Sequence, residues 1–367
     1  MRILYLCKRQ YMGHDVIADR YARLYEQPFQ LAELGHSVLG ICLSYRNCAE
    51  KNERHDSHQG SMQWIGLSAG KSRLNIPFYP IKILTLARDF KPDIIVSSSD
   101  CLHVILGGWL AKKLSVPFAA DLYDDYETFG LAKIPFIKTL YRKALNRAKI
   151  ISCVSEALSI YIQKNYAKTS TVLALPSTIN QKIFYPRSKD KSRNLFNLPL
   201  DVPLVGTAGG LSKEKGIETV YHAFLDIINL RPDIHFVLAG PIDTKYPPPK
   251  HERIHYLGML SHEMVANLFC SLDVGIVYLR DTQYGQLSFP QKAYEMAACK
   301  IPMVVTKVGD MATLFSETRN ELYAADEAIA LRQAILRQVE HPNVADINID
   351  SWVEQAKKLA YLYSAII

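Results

Sequence analysis

Short apolar runs alternate along the chain with longer stretches whose apolar residues recur every three or four positions. Runs at Ile3–Cys7, Val38–Leu43, Ile94–Ser97, Phe118–Asp121 and Ile150–Val154 read as buried strands. Tyr21–Leu34, Ile81–Asp89, Leu102–Lys113 and Ile137–Ala148 between them read as helices. The composition turns polar and charged over Pro186–Arg193, as a linker would, and the pattern then restarts. Val205–Ala208, His235–Ala239, Val274–Tyr278 and Met303–Val305 read as strands, Ile217–Ile228 as a helix, and Pro247-Pro248-Pro249 as a loop. The tail Ser351–Ile367 is amphipathic, with Trp352, Ala356, Leu359, Ala360 and Tyr363 at helical spacing. The pattern predicts an α/β protein of two Rossmann-like domains, 1–186 and 187–350, with the helix 351–367 returning to the first. Ligands of such sheets bind beyond the C-terminal ends of the strands, here in a central cleft that the two parallel sheets would face.

Composition narrows this picture. A chain of 367 residues suits two domains, and 49% hydrophobic with 22% charged residues excludes a disordered chain. No apolar run approaches the roughly 20 residues needed to span a bilayer. The opening Met1–Cys7 is cut short by Lys8-Arg9-Gln10 and is too brief for a signal peptide. The expectation is a cytoplasmic protein that starts here. Seven cysteines form no CxxC pair and no metal-ligand spacing, so reduced, mostly buried thiols are expected. The net charge of +7 divides into +9 for residues 1–186 and −2 for 187–367, which directs the first half towards an anionic surface or ligand.

Three segments carry candidate chemistry. In Gly285–Pro302, Ser288 reads as a helix cap and Pro290 as a first-turn residue, placing Ser288, Lys292 and Glu295 on one face. Such a face suits a nucleoside diphosphate: amides and Lys292 for the phosphates, Glu295 for ribose hydroxyls. The plain alternative is a surface Lys-Glu pair. Gly209 and Gly210 follow a strand and let the backbone approach a phosphate within reach of Lys215, or they form an ordinary strand-to-helix turn. Asp121, Asp124, Asp125 and Glu127 crowd the end of the strand Phe118–Asp121 with Tyr123 and Tyr126. They are either site acids or residues of a solvated, capped loop.

In order and interval these segments resemble the GT-B glycosyltransferases, specifically family 4 of the retaining enzymes (group 1). The resemblance runs over almost the whole chain and is strongest from Leu204 to Asp310. It rests on Gly209–Gly216, on Asp273–Tyr278, and on Ser288, Pro290, Lys292, Glu295, Ala298, Pro302 and Val304-Val305. Val154–Leu158 and Pro176–Asn180 with Phe184 and Pro186 extend it into the first half. It implies an acceptor-binding first domain and a donor-binding second one. Transfer from a nucleotide-diphosphate sugar to a glycan, lipid-linked or other small acceptor would retain the anomeric configuration. The donor is then a substrate; no cofactor and no metal is implied. Gly209, Gly210, Lys215, Ser288, Lys292 and Glu295 would bind it, and Lys292 and Asp124 would act in catalysis by charge and position.

The sequence departs from the family pattern in three places: Gly210 stands where an arginine is usual, Leu287 where the first glutamate of a pair is usual, and Tyr123 where a histidine is often found. Two rivals stay open: a scaffold without turnover, which Gly210 and Leu287 favour, and a nucleotide-sugar epimerase, which would bind the same donor. The acceptor would be chosen by the loops 8–20, 45–80 and 121–135. Lys133–Lys149, with Lys138, Arg142 and Lys149 near one helical face, further predicts transient peripheral contact with an anionic membrane.

Overall fold

The computed structural model describes every residue except Phe129, Lys168 and 317–320; Phe129, in the loop 121–135, thus lies outside the described residues. The chain forms two compact units, Met1–Ser177 with Asp350–Ile367, and Thr178–Ile349. The unit boundary therefore falls before the stretch expected to be a linker. Ser188 instead caps a helix, Lys189–Leu195, by accepting from the Lys191 amide. Arg193 is buried and donates to the Ser271 and Leu200 carbonyls and to Asp273, 2.5 Å away. Those residues are polar because they cap a helix and bury a guanidinium, which composition alone does not separate from solvation.

The first unit holds an eight-stranded sheet in the order Thr171–Ala174, Ile150–Cys153, Phe118–Leu122, Ile94–Ser98, Arg2–Lys8, Ser37–Ser44, Ser61–Ser68 and Lys51–His55. Seven of these strands run parallel, and Lys51–His55 pairs antiparallel at the edge. Part of the expected 45–80 loop is thus a strand pair. The edge strand, Lys51-Asn52-Glu53-Arg54-His55, is polar throughout, and the apolar residues of the pair lie on Ser61–Ser68. Gly40 is required there: a Cβ would stand 2.3 Å from the ring of the fully buried Trp64. The tail helix, Trp352–Ser364, opens with a Ser351/Glu354 capping box. Ala356, Leu359 and Tyr363 join the core of the first unit, and Gln355 donates to the Pro176 carbonyl at 2.7 Å.

The second unit holds six parallel strands in the order Ile254–Tyr256, His235–Ala239, Leu204–Ala208, Val274–Val277, Met303–Thr306 and Glu321–Tyr323. Leu204–Ala208 is buried throughout, as a central parallel strand must be. From it the chain builds outward first to one side and then to the other, so the topological switch point lies between Leu204–Ala208 and Val274–Val277. The backbone just beyond the C-terminal ends of those two strands is where an open sheet of this kind receives a ligand.

Candidate functional site

The two strands flanking that switch point run directly into the site. After Ala208 the chain turns through Gly209 at φ +111, a conformation that side chains avoid. Its amide donates to the Ala239 carbonyl at 3.0 Å, and the next turn over, Gly240, presses so closely that a Cβ there would lie 2.2 Å from the Gly209 carbonyl oxygen. Two lysines converge on this turn. A carbon added at Gly209 would stand 3.6 Å from Lys292 Nζ, and one at Gly210 would stand 3.4 Å from Lys215 Nζ. Lys213, two residues earlier, is turned away to Tyr246 and Glu218.

Lys292 opens the helix Lys292–Ala298. Its Nζ donates to Thr207 Oγ1 at 3.2 Å and lies 4.4 Å from the centre of the Tyr278 ring. Glu295, one turn on, is 8% exposed, and His262 Nε2 is 3.8 Å from its carboxylate. Burial and the neighbouring Lys215 charge push the Lys292 ammonium down to about 7, while Glu295 pulls the other way. Burial raises the Glu295 carboxyl to about 7 against the attraction of Lys292. A buried lysine and a buried carboxyl whose charged forms are both disfavoured by burial are unlike a surface ion pair.

Ser288 departs from expectation. Phe289 precedes Pro290, and a residue before proline is pushed to extended backbone, so no helix runs through it. Ser288 is itself extended and ends the short helix Gln283–Leu287, its hydroxyl donating to the Gly285 carbonyl at 3.3 Å. The next helix begins at Lys292 with Gln291, not serine, at its head. Ser288 is thus committed to its own backbone, whereas Gly209, Gly210, Lys215, Lys292 and Glu295 come together. Thr207, Tyr278 and His262 join them unannounced; the available signal was their place, at or just after strand ends and at a capped helix start.

The chain matches two family descriptions, "Glycosyltransferase Family 4" over residues 25–173 and "Glycosyl transferases group 1" over 202–341. The chain carries the two domains of a GT-B glycosyltransferase. Among relatives, the putative teichuronic acid biosynthesis glycosyltransferase TuaC of Bacillus subtilis (strain 168) is 26% identical over 264 residues, 71% of this chain and 65% of TuaC. The alpha-monoglucosyldiacylglycerol synthase of Streptococcus pneumoniae is 24% identical over 180 residues, 43% of this chain and 38% of the synthase. The match therefore spans less than two thirds of either relative's length. Among solved structures, the sucrose-phosphate synthase of Thermosynechococcus elongatus superimposes with a TM-score of 0.70 at 18% identity. It is covered over 94% of its chain and 100% of this one. Anabaena Alr3699/HepE in complex with UDP-glucose gives 0.68 at 14% identity, with 95% and 100% covered. These structural likenesses fix the fold as GT-B.

In the first glycosyltransferase domain the acids after Phe118–Leu122 mostly serve the fold. Asp121 is 1% exposed and bound to Arg23, 0% exposed, at 2.6 Å; Ser98 and Ser152 also donate to it. Asp125 accepts from the Glu127 amide, and Glu127 holds Arg142 through two contacts of 2.7 and 2.6 Å. Asp124 is half-buried, its Oδ1 accepting from the Asp125 amide at 2.9 Å in a turn that precedes the 3-10 helix Tyr126–Thr128. Lys8, at the end of the central strand, feels its charge and lies 5.5 Å from the Tyr123 ring centre. The expected basic face is altered as well. Arg142 is paired with Glu127 and stacked over Tyr166, and the helix stops at Leu145, short of Arg147 and Lys149. Among the described residues no helix is long and apolar enough to cross a membrane, and all seven cysteines are free, six of them buried.

Proposed function

We propose that this chain transfers a sugar, with retention of configuration as in family 4, from a nucleoside-diphosphate sugar held by the second domain to a glycan or lipid-linked acceptor. The observation that carries this reading is the convergence of Lys215 and Lys292 on the Gly209–Gly210 turn at the switch point, with the Glu295 carboxylate one helical turn away. A diphosphate brings negative charge to the two lysines, and its developing negative charge on departure is stabilised by them and by the amides of the turn. Glu295 accepts from the ribose. Solved neighbours of the same fold carry UDP, and TuaC's name places it in teichuronic acid biosynthesis; both support this choice of substrate class. The test is calorimetric titration with UDP, GDP and ADP. Losing a charge-assisted hydrogen bond costs about 1.5–3 kcal/mol, so Lys292→Ala and Glu295→Ala should each weaken the best ligand at least about tenfold. Wild-type affinity in both variants would remove the assignment.

The same reading makes turnover independent of added metal, because lysines take the phosphate charge; activity lost in chelator and restored by Mg²⁺ or Mn²⁺ would refute it. Asp124 orients the acceptor hydroxyl or steadies positive charge on the sugar. An Asp124→Asn enzyme should bind UDP as wild type does and turn over far more slowly, and normal turnover would end that role. With a lipid-linked acceptor the protein works on the cytoplasmic face of a membrane, touching anionic lipid through the start of the helix Ile137–Leu145. There Ile134, Phe136 and Leu140 are exposed beside Lys133 and Lys138. Co-sedimentation with anionic liposomes should weaken at about 0.5 M salt and in Phe136→Ser. No binding at low salt would exclude the contact.

A further inference from the structure

The lysine that faces the glycine turn is held by an aromatic ring, and the same ring carries the turn. Tyr278 follows the strand Val274–Val277 and is 3% exposed. One face of its ring lies 4.4 Å from Lys292 Nζ, and its hydroxyl donates to the Gly210 carbonyl at 3.0 Å. Thr207 completes the mount, receiving Lys292 at 3.2 Å while donating its own proton to the Ile276 carbonyl at 2.8 Å. Tyr278 therefore touches both parts of the cradle, the lysine and the glycine turn.

The choice of a ring has a physical consequence. A carboxylate in this position would hold the ammonium equally well but would cancel its charge and compete with phosphate for its protons. A π face attracts the cation through its quadrupole, worth up to about 2 kcal/mol where water is excluded, and leaves the net charge in place. It also accepts no ordinary hydrogen bond along the N–H directions, so the ammonium can spend one proton on Thr207 and turn the others to a ligand. Burial pushes the Tyr278 phenol far up, so it stays a neutral donor to Gly210 throughout the working range.

We propose that Tyr278 is the positioning residue of the donor site, fixing the Lys292 ammonium over the Gly209–Gly210 turn so that the lysine meets the diphosphate without reorganising. This rests on the reading above that Lys292 faces the diphosphate. The experiment is a double-mutant cycle on UDP affinity, with thermal unfolding run on each protein to show that it is folded. Tyr278→Met removes the π face at similar length, Tyr278→Phe keeps the face and drops only the hydroxyl, and Lys292→Ala removes the group being positioned. Tyr278→Met should weaken UDP about tenfold in the wild-type background and less than about twofold in the Lys292→Ala background, because the ring acts through the lysine. Tyr278→Phe should recover most of that loss. A purely structural tyrosine would cost the same in both backgrounds, and that additive result would overturn the proposal. So would wild-type affinity in Tyr278→Met while Lys292→Ala has lost UDP, an outcome that leaves the donor reading standing. Wild-type affinity in Lys292→Ala would instead remove the donor reading and this inference with it.

Discussion

The two domains treat buried charge in opposite ways. In the first, Arg23 and Asp121 are as deeply buried as any side chains in the protein, yet every polar direction is met: Asp121 by Arg23, Ser98 and Ser152, and Arg23 by Asp121 and the Leu175 carbonyl. In the second, Lys292 and Lys215 crowd one glycine turn, and Lys292 and Glu295 sit near their neutral forms. Arg193 and Asp273 show that the second domain also builds closed ion pairs, at its sheet's other end, so the open charge at the glycine turn is local. A satisfied network serves the fold, whereas a lysine whose charge burial disfavours gains from an anionic ligand. That criterion separates the acids after Phe118–Leu122, most of which are held within the fold, from Lys292 beside the turn after Leu204–Ala208.

The largest effect follows from the closed network. Arg23→Met leaves the Asp121 carboxylate buried without its partner, a change that typically costs about 3–5 kcal/mol. Urea unfolding of the variant should show that loss, and Arg23→Met with Asp121→Leu should recover most of it. Lys292→Met should leave stability at or above wild type at pH 6. There the native lysine, whose value is depressed on folding, must be charged at a cost that methionine does not carry. If Arg23→Met were harmless or Lys292→Met destabilising, the distinction between closed and open charge would fail.

This contrast also explains what the sequence made legible. The strands and helices of both domains are readable because parallel sheets leave continuous apolar runs, and Leu204–Ala208 or Ile94–Ser98 admit no other state. The edge strand Lys51–His55 is hidden because all five of its residues are polar, as in a loop. Lys292 and Glu295, and Lys215 with the glycines, are legible as candidates because each group lies on a single helix or turn. Ser288 was misplaced because a Ser-x-Pro start looks like a cap until the residue before proline is considered. Tyr278, Thr207 and His262 come from separate strands and a separate helix, so only the tertiary fold brings them to the lysine. The fate of Asp121 was equally unreadable, since its partner Arg23 lies 98 positions away.

A second, intermediate effect comes from titration. Lys292 loses its proton near pH 7 in the free protein, and a bound diphosphate should return that value towards the ordinary lysine range. Binding then takes up a proton. Through Lys292 alone, UDP affinity would be level on the acid side of 7 and fall as pH rises past it, approaching a tenfold loss per unit until the raised value is reached. Glu295, also near 7, acts in the other direction, because ribose hydroxyls favour the carboxylate, so affinity should rise towards 7 from below. Titration at several pH values, in two buffers of different ionisation enthalpy, measures both limbs. Lys292→Met should abolish the alkaline fall and Glu295→Gln should flatten the acid rise. A pH-independent wild type would mean that the open charge is not met by the ligand.

The smallest effect tests whether the open site can be made still more cationic. Gly210 is not in the left-handed region, and its added Cβ would meet only the mobile end of Lys215, at 3.4 Å. A side chain is therefore tolerated there, unlike at Gly209, where φ is +111. Gly210→Arg should place a guanidinium beside the diphosphate. In the free protein it would repel Lys215 and Lys292, and in the complex the phosphates would screen that repulsion, so the net gain is modest. Exposed ion pairs contribute about 0.2–1 kcal/mol, which predicts a UDP complex about 1.4- to fivefold tighter at low salt. Because part of the gain is long-range, it should shrink at about 0.5 M salt, where the screening length is only a few ångströms. Gly209→Ala is the matched control: its strained backbone should weaken UDP whatever the salt. An arginine at 210 that weakens binding at every ionic strength would mean that the two lysines already saturate the ligand, and that the turn lacks no cation.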